Sequence, residues 1–409
     1  MKLLKKIFIT FFIGYPLMLI AYIFPRNNKL WIISSLNDFN CNSKYFFIFF
    51  KEKKPNNISL YWIAKDKNLV NEMKKKGINE VLYMYSLKGI YFLFRSGAYI
   101  TSYPIEESIN FWTMGRAKYI NLWHGVGLKY HRFMQSDKKT YFLFKNKITK
   151  FIFYPLTLNF HKQFDLFLST TPKMTYLFQT SFRIKNENII EALYPRCEFL
   201  TQDNENILFI IEKYCIHNEK NLIKKIKKYN RSFLYMPTWR DTNPNFIGDI
   251  KFDYFLLNEK LKNNNQLFIF KLHPRTPSDS LPKEKFSNIL FLKDKLDIYS
   301  ILPFINTLIT DYSSIYYDVL LNEKIETILF PFDQGNYENN NRNLAYDYNE
   351  MTDSNKVYNF SELLSKIEDE NNDLAVNIEK GKLKEIFWPI DPSKNFDYIL
   401  SEIKKRVIK

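Results

Sequence analysis

Residues 305–333 constrain the fold of this chain more than any other stretch. Thr307–Thr310 is a short β-branched apolar run, and Asp311, which follows it, has the side chain of a helix N-cap. Residues 327–330 form a second apolar run that ends at Pro331. This order predicts a strand, a helix and a second strand, which is a βαβ unit. Two strands joined in this way run parallel, so the fold class is expected to be α/β.

The turn after the first of these strands has the groups that bind phosphate. The backbone amides of Tyr312, Ser313 and Ser314, the positive end of the helix dipole and two hydroxyl groups would form a receptor for it. Asp, Ser and Thr also collect at any helix start, because they satisfy backbone donors there. On this stretch alone, helix capping is the simpler explanation of these residues. Whether they form a phosphate site depends on which residues follow the other strands.

Size and composition indicate two domains and an anionic partner. The chain has 409 residues, 46% of them hydrophobic, and can bury a core in each of two domains. Its net charge of +16, from 59 Lys and Arg against 43 Asp and Glu, suits a membrane, a nucleic acid or a phosphorylated substrate. Codon bias in a genome rich in A and T would produce the same excess of Lys. The charge alone therefore does not select a partner.

Cysteine usage and glycine motifs exclude several classes of protein. Cys41, Cys197 and Cys215 are scattered, without the paired spacing of a zinc site or a disulfide framework, which fits a reducing, cytosolic setting. The sequence contains neither a Walker loop nor a Gly-x-Gly-x-x-Gly fingerprint. ATPase and simple dinucleotide-binding interpretations lose their best support.

Residues 1–29 are predicted to associate with a membrane. Three lysines precede an uncharged run, residues 7–24, which has the minimum length of a membrane span but is expected to be broken by Gly14 and Pro16. No cleavage site of a signal peptide is visible, and positive charge flanks both ends. We favour an anchor that lies in the plane of the cytoplasmic leaflet or re-enters it. A full span and a buried core helix are the alternatives.

The rest of the chain alternates short apolar strands with helices, which is typical of two sheets covered by helices on both faces. The first domain, residues 30–200, has predicted strands at 30–34, 59–63, 80–82, 98–101, 119–123 and 166–169, with helices at 44–51 and 69–76. The second, residues 221–390, has predicted strands at 232–236, 266–270, 288–290, 307–310 and 327–330, and a surface helix at 361–369.

Three further segments complete the organisation of the chain. Residues 201–220 are predicted to be a linker, within a polar stretch, residues 198–220, that is expected to include a first helix. Residues 391–409 are predicted to form a terminal basic helix. Residues 134–160 are dense in Lys and aromatic side chains without a clear period. A second membrane-facing surface and an ordinary pair of amphipathic helices explain them equally well.

Polar side chains follow several of the predicted strands directly. Ligands of parallel α/β sheets bind beyond the carboxyl ends of the strands, so these residues are candidate site residues. They are His124, Gly125 and Lys129; Pro237, Thr238 and Arg240; Lys271, His273 and Arg275; Asp311, Ser313 and Ser314; and Asp333.

Histidine and arginine at these strand ends predict a site for a diphosphate. The chain has only five His and eleven Arg, yet His124, His273, Arg240 and Arg275 all fall at strand ends. Arg matches phosphate oxygens with a planar fork, and His exchanges a proton near neutral pH. Alternatively, Arg240 pairs with Asp241 or another carboxylate, and His273 is a packed turn residue. As a set on one sheet edge, these residues predict function.

Six motifs in a fixed order give the chain a family resemblance. They are Trp-His-Gly-Val-Gly-Leu-Lys at 123–129, Tyr-Pro-Arg at 194–196, Met-Pro-Thr-Trp-Arg-Asp at 236–241, Lys-Leu-His-Pro at 271–274, Thr-Asp-Tyr-Ser-Ser at 310–314 and Phe-Asp at 332–333. Over nearly its whole length, the chain resembles the CDP-glycerol glycerophosphotransferases that build teichoic acids and related capsule polymers.

The resemblance implies a fold and a reaction. The fold would be GT-B, with a Rossmann-like acceptor domain and a Rossmann-like CDP-glycerol domain facing each other across a cleft, attached peripherally to the cytoplasmic face of the cell membrane. A hydroxyl of a lipid-linked acceptor would attack the β-phosphate of CDP-glycerol and release CMP. In such enzymes the residue matching His124 is the proposed general base, and the one matching His273 acts at the donor diphosphate. The turn at Asp311 would hold phosphate oxygens.

No cofactor is expected, because no Asp-x-Asp pair or ligand cluster compels a metal. Departures from the family pattern at Leu193 and at residues 197–198, 351–353 and 391–392 leave open which polyol the CDP carries. A transferase for CDP-ribitol and a GT-B glycosyltransferase or epimerase for a nucleotide sugar are alternatives. A non-enzymatic basic protein that binds nucleic acid or anionic lipid is a further alternative. Nucleic acid is not an expected partner, since the basic residues are dispersed and form no recognised motif.

Overall fold

The computed structural model describes residues 2–36, 38–134, 147–273, 275–277, 280–292, 295–340, 344–368, 374–389, 391 and 393–408. By contacts, the chain divides into two compact units. Unit 1 contains the residues up to His124, His131–Ile216 and the residues after Pro389, and unit 2 contains Gly125–Tyr130 and His217–Pro389. Each unit is built on its own parallel sheet, which confirms the predicted α/β class with two parallel-sheet domains.

The sheet of unit 1 has the strand order β3-β2-β1-β4-β5-β6-β7 in the described residues, and all of its pairs are parallel. The strands are β1 Asn27–Ser34, β2 Ser59–Ala64, β3 Val81–Tyr83, β4 Ser96–Thr101, β5 Lys118–Asn121, β6 Leu166–Ser169 and β7 Ile189–Glu191. The six predicted strands are confirmed, although β5 ends two residues earlier than expected. The short β7 was not predicted.

The helices of unit 1 are Lys2–Phe8, Ile9–Gly14, Tyr15–Ile23, Cys41–Lys53, Lys67–Lys75, Leu87–Arg95, Ile105–Ser108, Lys147–Phe153, Leu158–His161, Pro172–Phe182, Pro195–Leu200, Asn204–Tyr214 and Phe396–Val407. Short 3₁₀ turns lie at Phe111–Thr113, Arg132–Met134, Tyr154–Leu156 and Asn186–Asn188. Of the Lys-rich and aromatic stretch at 134–160, residues 135–146 lie outside the described residues.

The sheet of unit 2 has the order β10-β9-β8-β11-β12 and is also parallel. Its strands are β8 Arg231–Met236, β9 Gln266–Phe270, β10 Ile289–Phe291, β11 Thr307–Thr310 and β12 Glu326–Leu329, which confirms the five predicted ones within one residue. The helices are Glu219–Ile226, Phe246–Asp249, Tyr254–Asn263, Ile315–Val319, Gln334–Asn340, Phe360–Glu368 and Leu374–Phe387, with 3₁₀ turns at Ile298–Ser300 and Leu302–Phe304.

Local sequence explains where several helices begin. The side-chain oxygens of Ser86, Thr171, Asp203 and Asp253 each accept a hydrogen bond from the backbone N–H three residues on. Each bond satisfies one of the N–H groups that have no partner in the first helical turn.

Two helices in segments predicted to lie outside the two domains belong to unit 1. Within the predicted linker, residues 201–220, the expected first helix is Asn204–Tyr214, and its apolar side is buried in unit 1, with Ile207 2% and Ile211 3% exposed. The terminal helix Phe396–Val407 also belongs to unit 1, because Phe396 packs on Phe46. Apolar side chains on one face of each helix account for both differences.

Residues 2–23 form one continuous helix, in which Ile9–Gly14 has π-helical spacing. The prediction that Gly14 and Pro16 break this helix is wrong. The backbone at Gly14 and Tyr15 remains helical, and the Tyr15 N–H donates to the carbonyl five residues back. Pro16 has no N–H to donate, and a local π segment accommodates such a missing bond within a helix.

The second half of this helix packs on unit 1. A Cβ at Gly14 would lie 2.5 Å from the ring of Trp112, and a Cβ at Gly115 would overlap the Ala21 carbonyl oxygen. The guanidinium of Arg26 donates to that same carbonyl at 2.9 Å. In the described part of the chain, Leu4–Ile23 is the one helix long and apolar enough to cross a membrane, a test that core helices and signal sequences also pass.

Gly115→Ala should destabilise the protein and loosen the N-terminal helix. Gly115 has a φ of 48°, and the new methyl group would overlap the Ala21 carbonyl, so we expect a loss of about 1–3 kcal/mol in the free energy of unfolding. Chemical denaturation measures it. Gly381→Ala is the matched control, since nothing lies within 4 Å of that Cβ. Equal stability of the two variants would contradict the close approach.

Candidate active site

His124 lies just beyond β5, at the carboxyl edge of the sheet of unit 1. Two residues after the strand ends at Asn121, Trp123 takes a left-handed backbone conformation, with a φ of 52°. This conformation is costly for a residue with a Cβ and persists only where other contacts hold it. Here the Trp123 N–H donates to the side chain of Asn121 at 2.8 Å, and Gly125 has a φ of 148°. The turn brings the imidazole beside the end of β4.

One backbone bond determines which nitrogen of His124 carries the proton. Its Nδ1 lies 3.0 Å from the carbonyl oxygen of Ser102. A carbonyl oxygen only accepts hydrogen bonds, so Nδ1 carries the proton and Nε2 carries the lone pair. The ring is also stacked on Tyr103, with centroids 4.6 Å apart and planes 13° apart. A held imidazole with its lone pair on Nε2 is the form that a general base requires.

The surroundings of His124 keep it neutral. Burial lowers the pKa of His124 to about 4, and the positive charge of Arg196 adds to this, while the bond to Ser102 acts in the opposite direction. The imidazole is therefore unprotonated at neutral pH and available to accept a proton. A low pKa also makes it a weaker base, so its position has to contribute to catalysis as well.

Most of the other predicted residues meet at one edge of unit 2. Strands β9, β8, β11 and β12 are parallel neighbours, so the loops after them lie side by side. These loops carry Lys271, His273 and Arg275; Pro237, Thr238 and Arg240; Asp311, Ser313 and Ser314; and Asp333. The expected convergence is confirmed for this set. His124 stands on the other sheet, so the prediction of one shared edge is wrong.

His273 is exposed and has the opposite tautomer to His124. The Arg275 backbone N–H donates to His273 Nδ1 at 3.1 Å, which leaves the proton on Nε2. The imidazole packs on Trp239 with ring centroids 4.9 Å apart. Partial burial lowers the pKa of His273, the charges of Arg275 and Lys271 lower it further, and Asp241 raises it. A neutral Nε2–H can donate to an oxygen of a bound anion. Pro274 lies outside the described residues.

Arg240 is buried in a network of carboxylates. Its Nε and Nη2 donate to the two oxygens of Asp333 at 2.8 Å each, and Nη2 also donates to Asp311 at 2.8 Å. The remaining nitrogen, Nη1, donates to the carbonyl of Thr238. Burial alone would lower the pKa of Arg240, but the two carboxylates outweigh it and raise the pKa above its ordinary value. The whole residue is 0% exposed.

The structure therefore corrects the predicted roles of four residues. All nitrogens of the Arg240 guanidinium have protein partners, so Arg240, Asp311 and Asp333 hold the loops together, and Arg240 does not present an exposed fork to a phosphate. The alternative of pairing with a carboxylate is correct, although the partners are Asp311 and Asp333. Asp311 also accepts the Thr238 N–H at 2.8 Å, so Thr238 belongs to the same loop scaffold.

The phosphate-binding turn is built differently from its prediction. Asp311 is not a helix N-cap, since the helix is Ile315–Val319 and Ser314 precedes it. The Tyr312 N–H donates to the Asp311 side chain at 2.6 Å, so this amide is not free. A helix of five residues has a small dipole, and the half-buried Ser313 and Ser314 are left as the candidate phosphate ligands.

Gly125 and Lys129 follow His124 in the chain but belong to unit 2. Lys129 forms an isolated antiparallel bridge with Leu344, and its Nζ lies 5.4 Å from the ring centroid of Tyr337. Tyr337 is stacked on Tyr312 at 3.9 Å. Lys271 directly follows β9, and Pro237 directly follows β8. The Lys271 N–H donates to the carbonyl oxygen of Tyr235 at 2.9 Å.

Sequence reasoning missed the residues that support His124. Ser102 acts through a backbone carbonyl, which every residue has, so its side chain gives no signal. Asn42 is 0% exposed, and its amide donates to the carbonyls of Leu122 and Trp123. A polar residue at the start of a helix is read as a cap, so only the fold identifies this contact.

Arg240→Met should unfold the protein more readily. The change leaves two carboxylates buried without their counterion, and we expect a loss of about 3–5 kcal/mol in the free energy of unfolding, measured by chemical denaturation. Arg275→Met is the matched control, because Arg275 is exposed, and we expect a change of at most about 0.5 kcal/mol. A stable Arg240→Met protein would show that the network is not structural.

Comparisons with known proteins agree with this architecture. The teichoic acid poly(glycerol phosphate) polymerase of Bacillus spizizenii strain W23 is 27% identical over 336 residues, which are 79% of this chain and 79% of that one. The protein of the same description from Bacillus subtilis strain 168 is 24% identical over 405 residues, 95% of this chain and 50% of that one. The chain thus spans about half the length of the second relative.

The likeness extends to a solved structure. The wall teichoic acid polymerase TagF matches with a TM-score of 0.72 at 18% identity, covering 100% of this chain and 97% of that one, which shows the fold. The family described as CDP-glycerol:poly(glycerophosphate) glycerophosphotransferase matches residues 17–405. With its six motifs, its two parallel-sheet units and this match over most of its length, the chain belongs to the CDP-glycerol:poly(glycerophosphate) glycerophosphotransferase family.

Proposed function

We propose that this transferase moves glycerol phosphate from CDP-glycerol to a hydroxyl group of a membrane-linked acceptor and releases CMP, in the synthesis of a teichoic acid or capsule polymer. Family membership supports the donor and the reaction. The observation that carries the mechanism is the Nδ1 bond of His124 to Ser102, because it leaves a lone pair on Nε2.

In this mechanism His124 acts as the general base. The acceptor hydroxyl gives its proton to Nε2 of His124 while its oxygen attacks the β-phosphorus of CDP-glycerol. A bond forms from the acceptor oxygen to this phosphorus, and the bond from phosphorus to the bridging oxygen breaks. CMP leaves with the bridging oxygen and the electron pair of that bond. The product is a phosphodiester, and His124 then releases its proton to solvent.

The donor diphosphate is assigned to the carboxyl edge of unit 2. Arg275 is exposed there and offers a planar fork for phosphate oxygens, while Nε2–H of His273 donates one hydrogen bond. Ser313 and Ser314 supply two hydroxyls from the loop after β11, on the other side of the loop after β8. These groups oppose the negative charge that grows on CMP as it leaves. Arg240 contributes indirectly, by holding the loops that follow β8, β11 and β12.

Two features of the reaction remain proposals from the sequence. The first is that no divalent ion is strictly required, because cationic and N–H groups can neutralise the leaving phosphate; turnover in EDTA tests this. The second is that the polyol is glycerol rather than ribitol, which the family description supports. Parallel incubations with CDP-glycerol, CDP-ribitol and a UDP-sugar separate the alternatives, according to whether CMP or UDP is released and from which donor.

We also propose that unit 1 attaches the enzyme to the cytoplasmic face of the membrane. Phe8 and Phe12 are 56% and 69% exposed on the N-terminal helix, and Phe151 is 83% exposed on Lys147–Phe153. The 3₁₀ turn Tyr154–Leu156, which directly follows Lys147–Phe153, contacts the N-terminal helix, since the Tyr15 hydroxyl donates to the Pro155 carbonyl at 3.1 Å. Because the second half of the N-terminal helix packs on the protein, an in-plane anchor fits better than a full span.

His124→Ala should abolish transfer and leave donor binding intact. Loss of a general base typically costs about 10²–10⁴-fold in kcat, measured as CMP released from CDP-glycerol with a lipid-linked acceptor. His217→Ala, a half-buried histidine before Glu219–Ile226, is the matched control and should retain activity.

Protonation of His124 should also determine how kcat of the wild-type enzyme falls at low pH. With a pKa of about 4, His124 is deprotonated above that pH and becomes protonated below it, so kcat should fall only as the pH drops through this range. Full activity of His124→Ala would refute the assigned base.

Phe12→Asp and Phe151→Asp should each release the protein from vesicles that contain anionic phospholipid. Withdrawing one buried phenyl ring from lipid costs about 1.5–3 kcal/mol, so the bound fraction in a flotation assay should correspond to an affinity lower by roughly 10–100-fold. Phe255→Asp is the control, because Phe255 is 66% exposed but lies in unit 2. Equal loss in all three variants would mean that the assay reports general surface charge and would remove support for this surface.

A further inference from the structure

The first turn of helix Cys41–Lys53 contacts the support of His124 at two points. The Asn42 side-chain amide donates to the carbonyl oxygens of Leu122 at 3.1 Å and Trp123 at 2.9 Å. Its oxygen accepts the Arg196 backbone N–H at 3.2 Å. The two carbonyls only accept and the N–H only donates, so these partners fix the orientation of the amide. All hydrogen-bonding groups of this side chain are therefore engaged.

The second contact passes through Ser102. The Ser43 backbone N–H donates to the Ser102 hydroxyl at 2.7 Å, and the two serine hydroxyls are 2.7 Å apart. The carbonyl of Ser102 is the group that accepts the Nδ1–H of His124. One helical turn thus holds both the residues before the histidine and the acceptor that selects its tautomer.

The backbone on both sides of the Asn42 contact has a conformation that needs such support. Cys41 has a φ of 62° and Trp123 a φ of 52°, both in the left-handed region, and neither is glycine. Residues in this region persist where surrounding contacts over-determine them, and they collect at functional sites. Asn42 is 0% exposed and bonds directly to the carbonyl of Trp123, so it restrains the turn that carries His124.

We propose that Asn42 is a positioning residue for His124: by holding the carbonyls of Leu122 and Trp123, it keeps the imidazole bonded to Ser102 and its Nε2 presented to the acceptor hydroxyl. Asn42 itself touches no reacting atom. This inference rests on the proposed role of His124 as general base. It also requires that the tautomer of His124 depends on the side chain of Asn42.

The experiment begins with the wild-type tautomer. ¹⁵N NMR of histidine-labelled protein, with His124→Ala used to assign the signal, should show His124 with its proton on Nδ1 at pH 7. An Nε2–H form in the wild type would overturn the proposal. The NMR signal requires no turnover, so it tests the role of Asn42 independently of the proposed reaction. Failure of the proposed function would instead appear as absence of CMP release by the wild-type enzyme.

Asn42→Ser then tests the positioning. A serine hydroxyl cannot span both carbonyls, so the turn should relax; a misplacement of about 1 Å can cost on the order of 10²-fold in kcat. We expect that loss with KM for CDP-glycerol within about twofold of the wild type, together with a mixed tautomer of His124. If Asn42→Ser is not recovered folded, Asn42→Asp replaces it, since it retains the acceptor for the Arg196 N–H and loses both donors.

Asn288→Ser is the matched control. Asn288 is also buried, at 6% exposure, and its amide donates to the carbonyls of Gln266 at 2.7 Å and Leu261 at 3.5 Å in unit 2. The control should lower the melting temperature while kcat and the His124 signal stay unchanged. Equal losses of kcat in the two variants, or an unaltered His124 tautomer in the Asn42 variant, would reduce Asn42 to a structural residue and refute the proposal.

Discussion

The bond between the Ser102 carbonyl and His124 determines what unit 1 can do chemically. Strands β4 and β5 are parallel neighbours with Thr101 opposite Asn121, so the residues that follow them meet beyond the same sheet edge. A carbonyl there can only accept, which directs the proton to Nδ1 and leaves the basic lone pair on Nε2. The reactivity of the imidazole is therefore set by backbone geometry, and burial keeps it neutral.

Unit 2 has one buried arginine that holds loops together and one arginine that is exposed to solvent. Arg240 and Arg275 both follow strands of the same sheet, yet one is enclosed by carboxylates and aromatic rings while the other is exposed. The buried network joins the loops after β8, β11 and β12, whereas Arg275 lies in the loop after β9, beside the loop after β8. A buried guanidinium needs such partners, because an unpaired charge in the interior is very costly. An exposed one is solvated and can exchange water for phosphate.

His124 of unit 1 and His273 of unit 2 differ in the hydrogen bond that Nδ1 makes. His124 donates through Nδ1 to a carbonyl, whereas His273 accepts through Nδ1 from a backbone N–H. One therefore presents a lone pair and the other presents a proton. In the proposed transfer, the lone pair would serve the alcohol that loses a proton, and the N–H would serve the phosphate that gains negative charge.

The sequence by itself determined the parallel-sheet architecture and the positions of most strands, because buried strands of parallel sheets are short β-branched and aromatic runs between polar turns. It also placed the candidate residues at strand ends. Tertiary structure alone decided their roles: Arg240 turned inward to Asp311 and Asp333, Asp311 did not cap a helix, and Asn42 became the support of a distant turn. These outcomes depend on contacts between residues far apart in the chain and on backbone carbonyls, and neither leaves a local pattern in the sequence.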